Sequence, residues 1–96
     1  MKMNDVNIVA VLERKFAIYV MLTVKKYPGC TKTDVLGTTN RHTKFARISE
    51  LIECGLIEAD DEKRQHQTIK LYLTPKGQEV ATLLEKIYDI GESMLA

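Results

Sequence analysis

The most constraining feature of this 96-residue sequence is a short strand pattern that runs directly into a helix start. Apolar and polar residues alternate strictly over Thr68–Leu73, which is the period of a half-buried strand. Thr74 and Pro75 follow as a helix N-cap and a first helical residue. The segment Leu56–Asp60 is the candidate partner strand, and the charged run Asp61–His66 connects the two. The sequence therefore predicts one antiparallel β-hairpin followed by a helix.

Helical spacing of apolar residues covers most of the remaining chain. The first helical segment begins at Val6 or only near Val11, with the leading residues then forming a separate strand or arm, and Pro28 ends it. Thr31 and Asp34 have the spacing of a capping box, at the start of a short second helix. The predicted fold is mainly α with a small β-hairpin, an α+β class. Its helices are predicted over Val6–Lys26, Lys32–Gly37, Arg41–Cys54 and Pro75–Met94.

The predicted helix Arg41–Cys54 has an apolar face and a polar face. Phe45, Ile48 and Ile52 lie within about 60° of one another around the helix axis, so we expect them to pack inward, with Leu51 at the edge. Gly55 suits the left-handed residue that ends such a helix. The polar face carries Thr43, Ala46, Arg47 and Glu50, with His42 and Lys44 on its flanks.

Charge is unevenly distributed along the chain, although the formal net charge is only +1. The stretch Lys25–Arg47 holds six basic residues and one acidic residue, whereas Gly77–Ala96 holds one basic residue and four acidic ones. A polyanion would therefore bind the middle of the chain and avoid its end. The alternative is that these lysines and arginines form an ordinary solvated surface.

Three stretches of the sequence resemble the winged helix-turn-helix family. Thr31–Leu36 is similar to the start of the family's second helix, and Arg47–Glu58 to the end of its recognition helix before the first wing strand. Leu71–Gly77 resembles the family's junction between the second strand and the last helix. The likeness spans about Arg14 to Ile87 and is to small prokaryotic, especially archaeal, transcription regulators of the MarR and PadR types. It implies a DNA-binding core over residues 1–76 and a C-terminal helix over residues 77–96, a dimerisation element of the same single domain.

The resemblance and the basic stretch together indicate candidate DNA contacts. Short polar and basic side chains at the start of a helix allow its backbone to approach base edges in the major groove. The alternative is a solvated helix face. We expect base contacts from His42, Thr43, Ala46 and Arg47, phosphate contacts from Thr31, Lys32, Thr33, Arg41 and Lys44, and wing contacts from Lys63, Arg64 and His66.

The last predicted helix carries an apolar strip that has the spacing of a coiled-coil seam. Val80, Leu83, Ile87, Ile90 and Met94 repeat at intervals of three and four residues. We expect this strip to pair with the same helix of a second copy. A single wide stripe that faces the domain's own core gives the same spacing and is the alternative.

Catalysis, metal binding and membrane insertion are not indicated by the sequence. It has no Gly-rich phosphate loop, nucleophile elbow or cluster of acid and base, so we expect neither an enzyme nor a cofactor. Cys30, Cys54, His42 and His66 lack the spacing of metal ligands. No apolar run reaches the roughly 18 residues of a membrane span, and the N-terminus lacks the order of a signal peptide. These observations favour a cytoplasmic protein without a membrane partner.

The sequence therefore predicts a homodimeric regulator of transcription that binds double-stranded DNA sequence-specifically, with a recognition helix in the major groove. It names no small-molecule effector. One alternative is a winged-helix module for protein–protein interaction, and another is a non-specific DNA-binding protein of chromatin. The basic stretch favours DNA over a protein partner, and the near-neutral total charge argues against a purely architectural coat on DNA.

Overall fold

The computed structural model describes residues 3–62 and 68–95, with side chains described over 8–60 and 69–92. The two strands are antiparallel, with Ile57 opposite Leu73 and Glu62 opposite Thr68. The predicted mainly α fold with one β-hairpin is confirmed. The elements in chain order are α1 (Met3–Leu12), α2 (Ala17–Lys26), α3 (Lys32–Leu36), α4 (Arg41–Glu53), β1 (Ile57–Glu62), β2 (Thr68–Leu73) and α5 (Pro75–Leu95).

The first helical segment is divided into two helices. Between α1 and α2 the backbone of Phe16 adopts φ 70°, a left-handed conformation that is uncommon for a residue other than glycine and that a continuous α-helix does not contain. The Phe16 ring meets the Tyr19 ring edge to face, with centroids 6.3 Å apart. The prediction of one helix over Val6–Lys26 is therefore wrong at residues 13–16, and the leading residues are helical rather than a strand or an arm.

The predicted helix ends are largely confirmed. The hydroxyl of Thr31 accepts a hydrogen bond from the Asp34 backbone N–H at 3.1 Å, and the Asp34 carboxylate accepts one from the Thr31 N–H at 3.0 Å. Gly55 has φ 81°, the left-handed conformation expected after α4. Asn40 precedes α4, also with a left-handed backbone, and its side chain makes no capping hydrogen bond.

The alternation of β2 is confirmed by its packing on the helices. Leu71 is fully buried, and Ile69 and Leu73 pack against the same core. The chain before α3 joins this strand, because the Leu71 N–H donates to the Cys30 carbonyl oxygen at 2.8 Å. The largest fully buried side chains are Val20, Met21, Val24, Val35, Ile48, Leu51, Leu56, Ile57 and Leu71.

The start of α5 is fixed against the turn that follows α4. The Thr74 hydroxyl donates to the Gly55 carbonyl oxygen at 2.6 Å and accepts from the Gly77 N–H at 2.9 Å, which confirms the predicted N-cap. A Cβ atom on Gly77 would collide with the carbonyl oxygen of Leu56, so the helix backbone can come this close only at a glycine. The first turns of α5 therefore belong to the core of the domain.

Candidate nucleic-acid interface

The rotation of α4 about its own axis differs by about one residue from the prediction. Its buried residues are Lys44, Ile48 and Leu51, instead of the predicted line through Phe45, Ile48 and Ile52. Phe45 is 48 % exposed, so its assignment to the core is wrong. Ile52 is half-buried and packs against the core.

Lys44 accounts for the altered rotation because its side chain is inserted between α2 and α3. The side chain is only 7 % exposed. Its Nζ donates to the Leu36 carbonyl oxygen at 3.2 Å and lies 5.4 Å from the ring centroid of Phe16 and 5.1 Å from that of Tyr19. Aromatic faces attract an ammonium group, and the aliphatic stem of a lysine packs well among apolar side chains. The structure therefore does not present Lys44 for the predicted phosphate contact, because its charge is held inside the domain.

The outer face of α4 consists of side chains that helical spacing places on the side away from Lys44 and Leu51. His42 and Phe45 are exposed on this face, and Ala46 and Ser49 are partly exposed. Lys32 of α3 lies beside it, with Nζ 5.0 Å from the Phe45 ring centroid. The face therefore combines short side chains, one aromatic ring and an adjacent cation, and the exposed acid Glu53 stands at its C-terminal end.

Cations also stand at the N-terminal end of this face. Arg41 is exposed, and its Nη1 donates to the Gly37 carbonyl oxygen at 2.6 Å, which fixes the guanidinium at the start of α4. Of the other residues that we expected to contact phosphate, Thr33 is exposed and Thr31 uses its hydroxyl in the capping box. Arg41 and Phe45 lie one turn apart on the same side of α4, and Lys32 lies beside Phe45, so both cations border the same flank of the outer face.

Arg47 faces a neighbouring acid instead of open solvent. Its side chain is 15 % exposed, and its Nε lies 3.1 Å from Oε1 of Glu50, an ion pair without hydrogen-bond geometry. The second carboxylate oxygen of Glu50 accepts from Nη1 of Arg14 at 2.7 Å. The predicted base contact of Arg47 would require its guanidinium to leave Glu50, and Arg14 is a partner of Glu50 that the sequence did not indicate. Thr43, one turn before Arg47, is partly exposed.

The wing candidates Lys63, Arg64 and His66 lie outside the described residues. β1 and β2 lead to them from Glu62 and Thr68.

The outer half of α5 carries an exposed apolar strip, defined by Leu83, Ile87 and Ile90. Ile87 is 65 % exposed and Ile90 is 63 % exposed, although both are large aliphatic residues. The first residue of the predicted seam, Val80, packs against the domain core, and the side chain of the last, Met94, lies outside the described residues. The strip therefore has no cover within the described part of the chain.

The two cysteines are partly buried free thiols, and burial raises the pKa of each. The negative charge of Asp34 raises the pKa of Cys30 further. Over the described ranges, no group of three or more His, Cys, Asp or Glu side chains could hold a metal ion. No helix in the described part of the chain is long and apolar enough to cross a membrane.

No protein-family model matches the chain, and no curated protein sequence matches it. Solved structures do match. A MarR protein from Peptoclostridium difficile is 18 % identical, with a TM-score of 0.75 over 96 % of this chain and 63 % of that one. A SlyA-like transcription regulator from Listeria monocytogenes is 17 % identical, with a TM-score of 0.77 over 99 % of this chain and 73 % of that one.

FabT of Streptococcus pneumoniae, solved in complex with DNA, is 18 % identical, with a TM-score of 0.68 over 96 % of this chain and 72 % of that one. The present chain spans less than two thirds of the length of the Peptoclostridium protein. At this level of identity the likeness concerns the fold. The chain has the winged-helix fold of the MarR and SlyA transcriptional regulators.

Proposed function

We propose that this protein is a homodimeric, sequence-specific regulator of transcription that inserts α4 into the major groove of double-stranded DNA. The observation that carries the proposal is the outer face of α4, which is exposed and is bordered on one flank by the cations Lys32 and Arg41. α4 contains no acidic residue before Glu50. A duplex presents phosphates along the edges of its major groove, so cations on the flank of the helix can contact the backbone while the outer face approaches the bases.

The proposed contacts follow from what is exposed. We assign base contacts to His42, Thr43 and Ala46, because a small residue such as Ala46 lets the helix backbone come close to base edges. Arg47 joins them only when a base edge displaces Glu50 from its guanidinium. Phosphate contacts are assigned to Thr31, Lys32, Thr33 and Arg41, and wing contacts to Lys63, Arg64 and His66. FabT, which shares this fold, has been solved in complex with DNA.

A second copy of the chain is the proposed cover of the apolar strip on α5. The spacing of Leu83, Ile87 and Ile90 is that of a coiled-coil seam. A row of large aliphatic side chains with this much exposure is typical of a subunit interface. Two recognition helices related by such a dimer would contact one side of the duplex, about 34 Å apart. The bound dimer would then regulate transcription in the cytoplasm, by occluding a promoter or by positioning other proteins there.

The test is a titration of random and genomic duplex fragments at several salt concentrations. We expect a subset of genomic fragments to bind at least about 1,000-fold more tightly than random ones. The variant Lys32→Met/Arg41→Met should lower the slope of log affinity against log salt by about 0.9 for each lost phosphate contact. Lys76→Met is the matched control, because this exposed lysine lies at the start of α5, beside the C-terminal end of α4.

Two outcomes would contradict the proposal. Equal affinity for all fragments would indicate a non-specific chromatin protein. No binding to any duplex would instead favour a module for protein–protein interaction.

A further inference from the structure

We propose that Phe45 is a specificity-determining residue, whose ring contacts the C5-methyl group of a thymine in the major groove. The inference rests on the proposed DNA-binding function and deepens it by naming the base that this residue recognises. It concerns a residue that sequence spacing assigned to the core.

The position of Phe45 is the first observation. Phe45 is 48 % exposed because α4 buries Lys44, Ile48 and Leu51 instead. A single exposed aromatic residue is ordinary on a protein surface. This one, however, lies on the flank of the outer face of α4 that is next to α3, one turn after Arg41 and one turn before Ser49. It therefore stands beside the residues to which base contacts are assigned.

The cation beside the ring is the second observation. Nζ of Lys32 lies 5.0 Å from the Phe45 ring centroid, so α3 holds one side of the ring through a cation–π contact. A phenylalanine ring has only two rotatable side-chain bonds, and this contact restricts them further. The ammonium of Lys32 beside the ring also favours an anionic partner. A partner that contacts the ring must come close to this positive charge.

The chemistry of the ring selects the base. Phenylalanine has no hydrogen-bond donor or acceptor, so it cannot read the polar edges of guanine, adenine or cytosine. The major-groove edge of thymine is different, because it presents a C5-methyl group that apolar side chains contact. A ring in this position would therefore favour thymine through the methyl group.

A protein partner is the competing occupant of this surface. The neighbours of Phe45 on α4 argue against it, because Arg41 and His42 are polar and exposed and no second large apolar side chain stands on the outer face. The strip on α5 shows the opposite composition, with three aliphatic side chains in a row. Charge complementarity thus assigns the Phe45 surface to the duplex.

The experiment removes one methyl group at a time from the DNA. Duplexes that the wild-type protein selects from a random pool are resynthesised with single thymines replaced by deoxyuridine. At one position in each half-site, we expect the wild type to bind about fourfold more weakly without the methyl group. Phe45→Ala should bind the thymine and deoxyuridine duplexes equally, and Phe45→Leu should keep part of the difference. Tyr27→Ala is the control, because Tyr27 is also an exposed aromatic residue, at 57 % against 48 % for Phe45, but lies at the end of α2.

Each contrary result has a distinct meaning. If the wild type binds equally well with and without each thymine methyl group, the inference is overturned. That result needs no variant, so it holds even if Phe45→Ala does not fold. Equal methyl dependence in the wild type and in Phe45→Ala also overturns it, because another residue then reads the methyl. Failure to bind any duplex contradicts the proposed function itself, whereas duplex binding without methyl dependence contradicts only the assignment of Phe45.

Discussion

The two longest helices of the described chain are anchored in opposite ways and leave different surfaces open. α4 is held by a buried charge, since Lys44 reaches between α2 and α3. α5 is held by the absence of a side chain, since Gly77 touches the backbone of Leu56. The open face of α4 carries mostly short side chains and is bordered on one flank by cations, whereas that of α5 is a row of aliphatic residues.

This difference shows how one small domain can separate two kinds of contact. A polar face with adjacent cations gains little from burial against an apolar partner, but much from a polyanion. An aliphatic strip gains about 25 cal/mol for each Å² that a partner removes from water and gains nothing from phosphate. We therefore expect substitutions on α5 to change self-association and those on α4 to change DNA binding, with little overlap.

The largest expected effect is on the apolar strip of α5. Ile87→Glu/Ile90→Glu would bury two unpaired carboxylates at the proposed seam, at a cost of several kcal/mol for each charge. Both side chains are exposed in the single chain, so the domain itself should stay folded. In sedimentation at tens of micromolar, we expect a dimeric wild type and a monomeric variant, with DNA binding reduced to half-site affinity.

The control for this variant is Gln78→Glu/Thr82→Glu, which adds the same two charges to an exposed, polar side of α5. It should remain dimeric. A monomeric wild type at the same concentration would remove both the dimer and the palindromic binding site from the proposal.

The anchor of α5 comes next in size. In Gly77→Ala, the new methyl group would collide with the Leu56 carbonyl oxygen, and no side-chain rotation can relieve a clash with backbone. We expect a loss of about 3 kcal/mol in the free energy of unfolding, at the upper end of the usual cost of overpacking. Gly91→Ala is the matched control, since its Cβ would have open space, and it should stabilise the helix by about 0.5–1 kcal/mol. Equal effects at the two glycines in chemical denaturation would refute the close contact.

The anchor of α4 should have a smaller effect on stability. Lys44→Met keeps the aliphatic stem but removes the ammonium from the Leu36 carbonyl oxygen and from the rings of Phe16 and Tyr19. We expect a loss of about 1–2 kcal/mol in the free energy of unfolding. The salt dependence of DNA binding should not change, whereas Lys32→Met should lower its slope by about 0.9. A lower slope in Lys44→Met would instead support the phosphate contact that the sequence predicts for Lys44.

Local signals in the sequence predicted the parts of the fold that depend on neighbouring residues. The capping box of Thr31 and Asp34, the end of α4 at Gly55 and the start of α5 at Thr74 are each formed within a few residues. The alternation of β2 reports burial directly. These features fix the order of helices and strands, and with it the winged-helix fold.

The errors concern contacts between residues far apart in the chain. The cage around Lys44 is built by Phe16 and Tyr19, more than twenty residues earlier, so helical periodicity assigned Phe45 to the core instead. Likewise, Arg14 binds Glu50 from the turn before α2. Helical periodicity counts lysine as polar, so it cannot indicate a lysine that is buried against aromatic rings. The predicted outer face of α4 was therefore rotated by about one residue.

The smallest expected effect is that of oxidising the two cysteines, which lie near the ends of the helices that carry the proposed DNA contacts. Cys30 precedes α3 and Cys54 ends α4, and burial raises the pKa of both thiols. A raised pKa means that the folded state prefers the neutral thiol. The resulting stabilisation is therefore complete below the ordinary thiol pKa of about 8.5 and is lost as the pH rises through the higher folded values. Near pH 7 little thiolate is present to react. Peroxide at that pH should leave DNA affinity unchanged in the wild type, as in Cys30→Ser, and a loss of binding that Cys30→Ser prevents would instead identify a redox switch at α3.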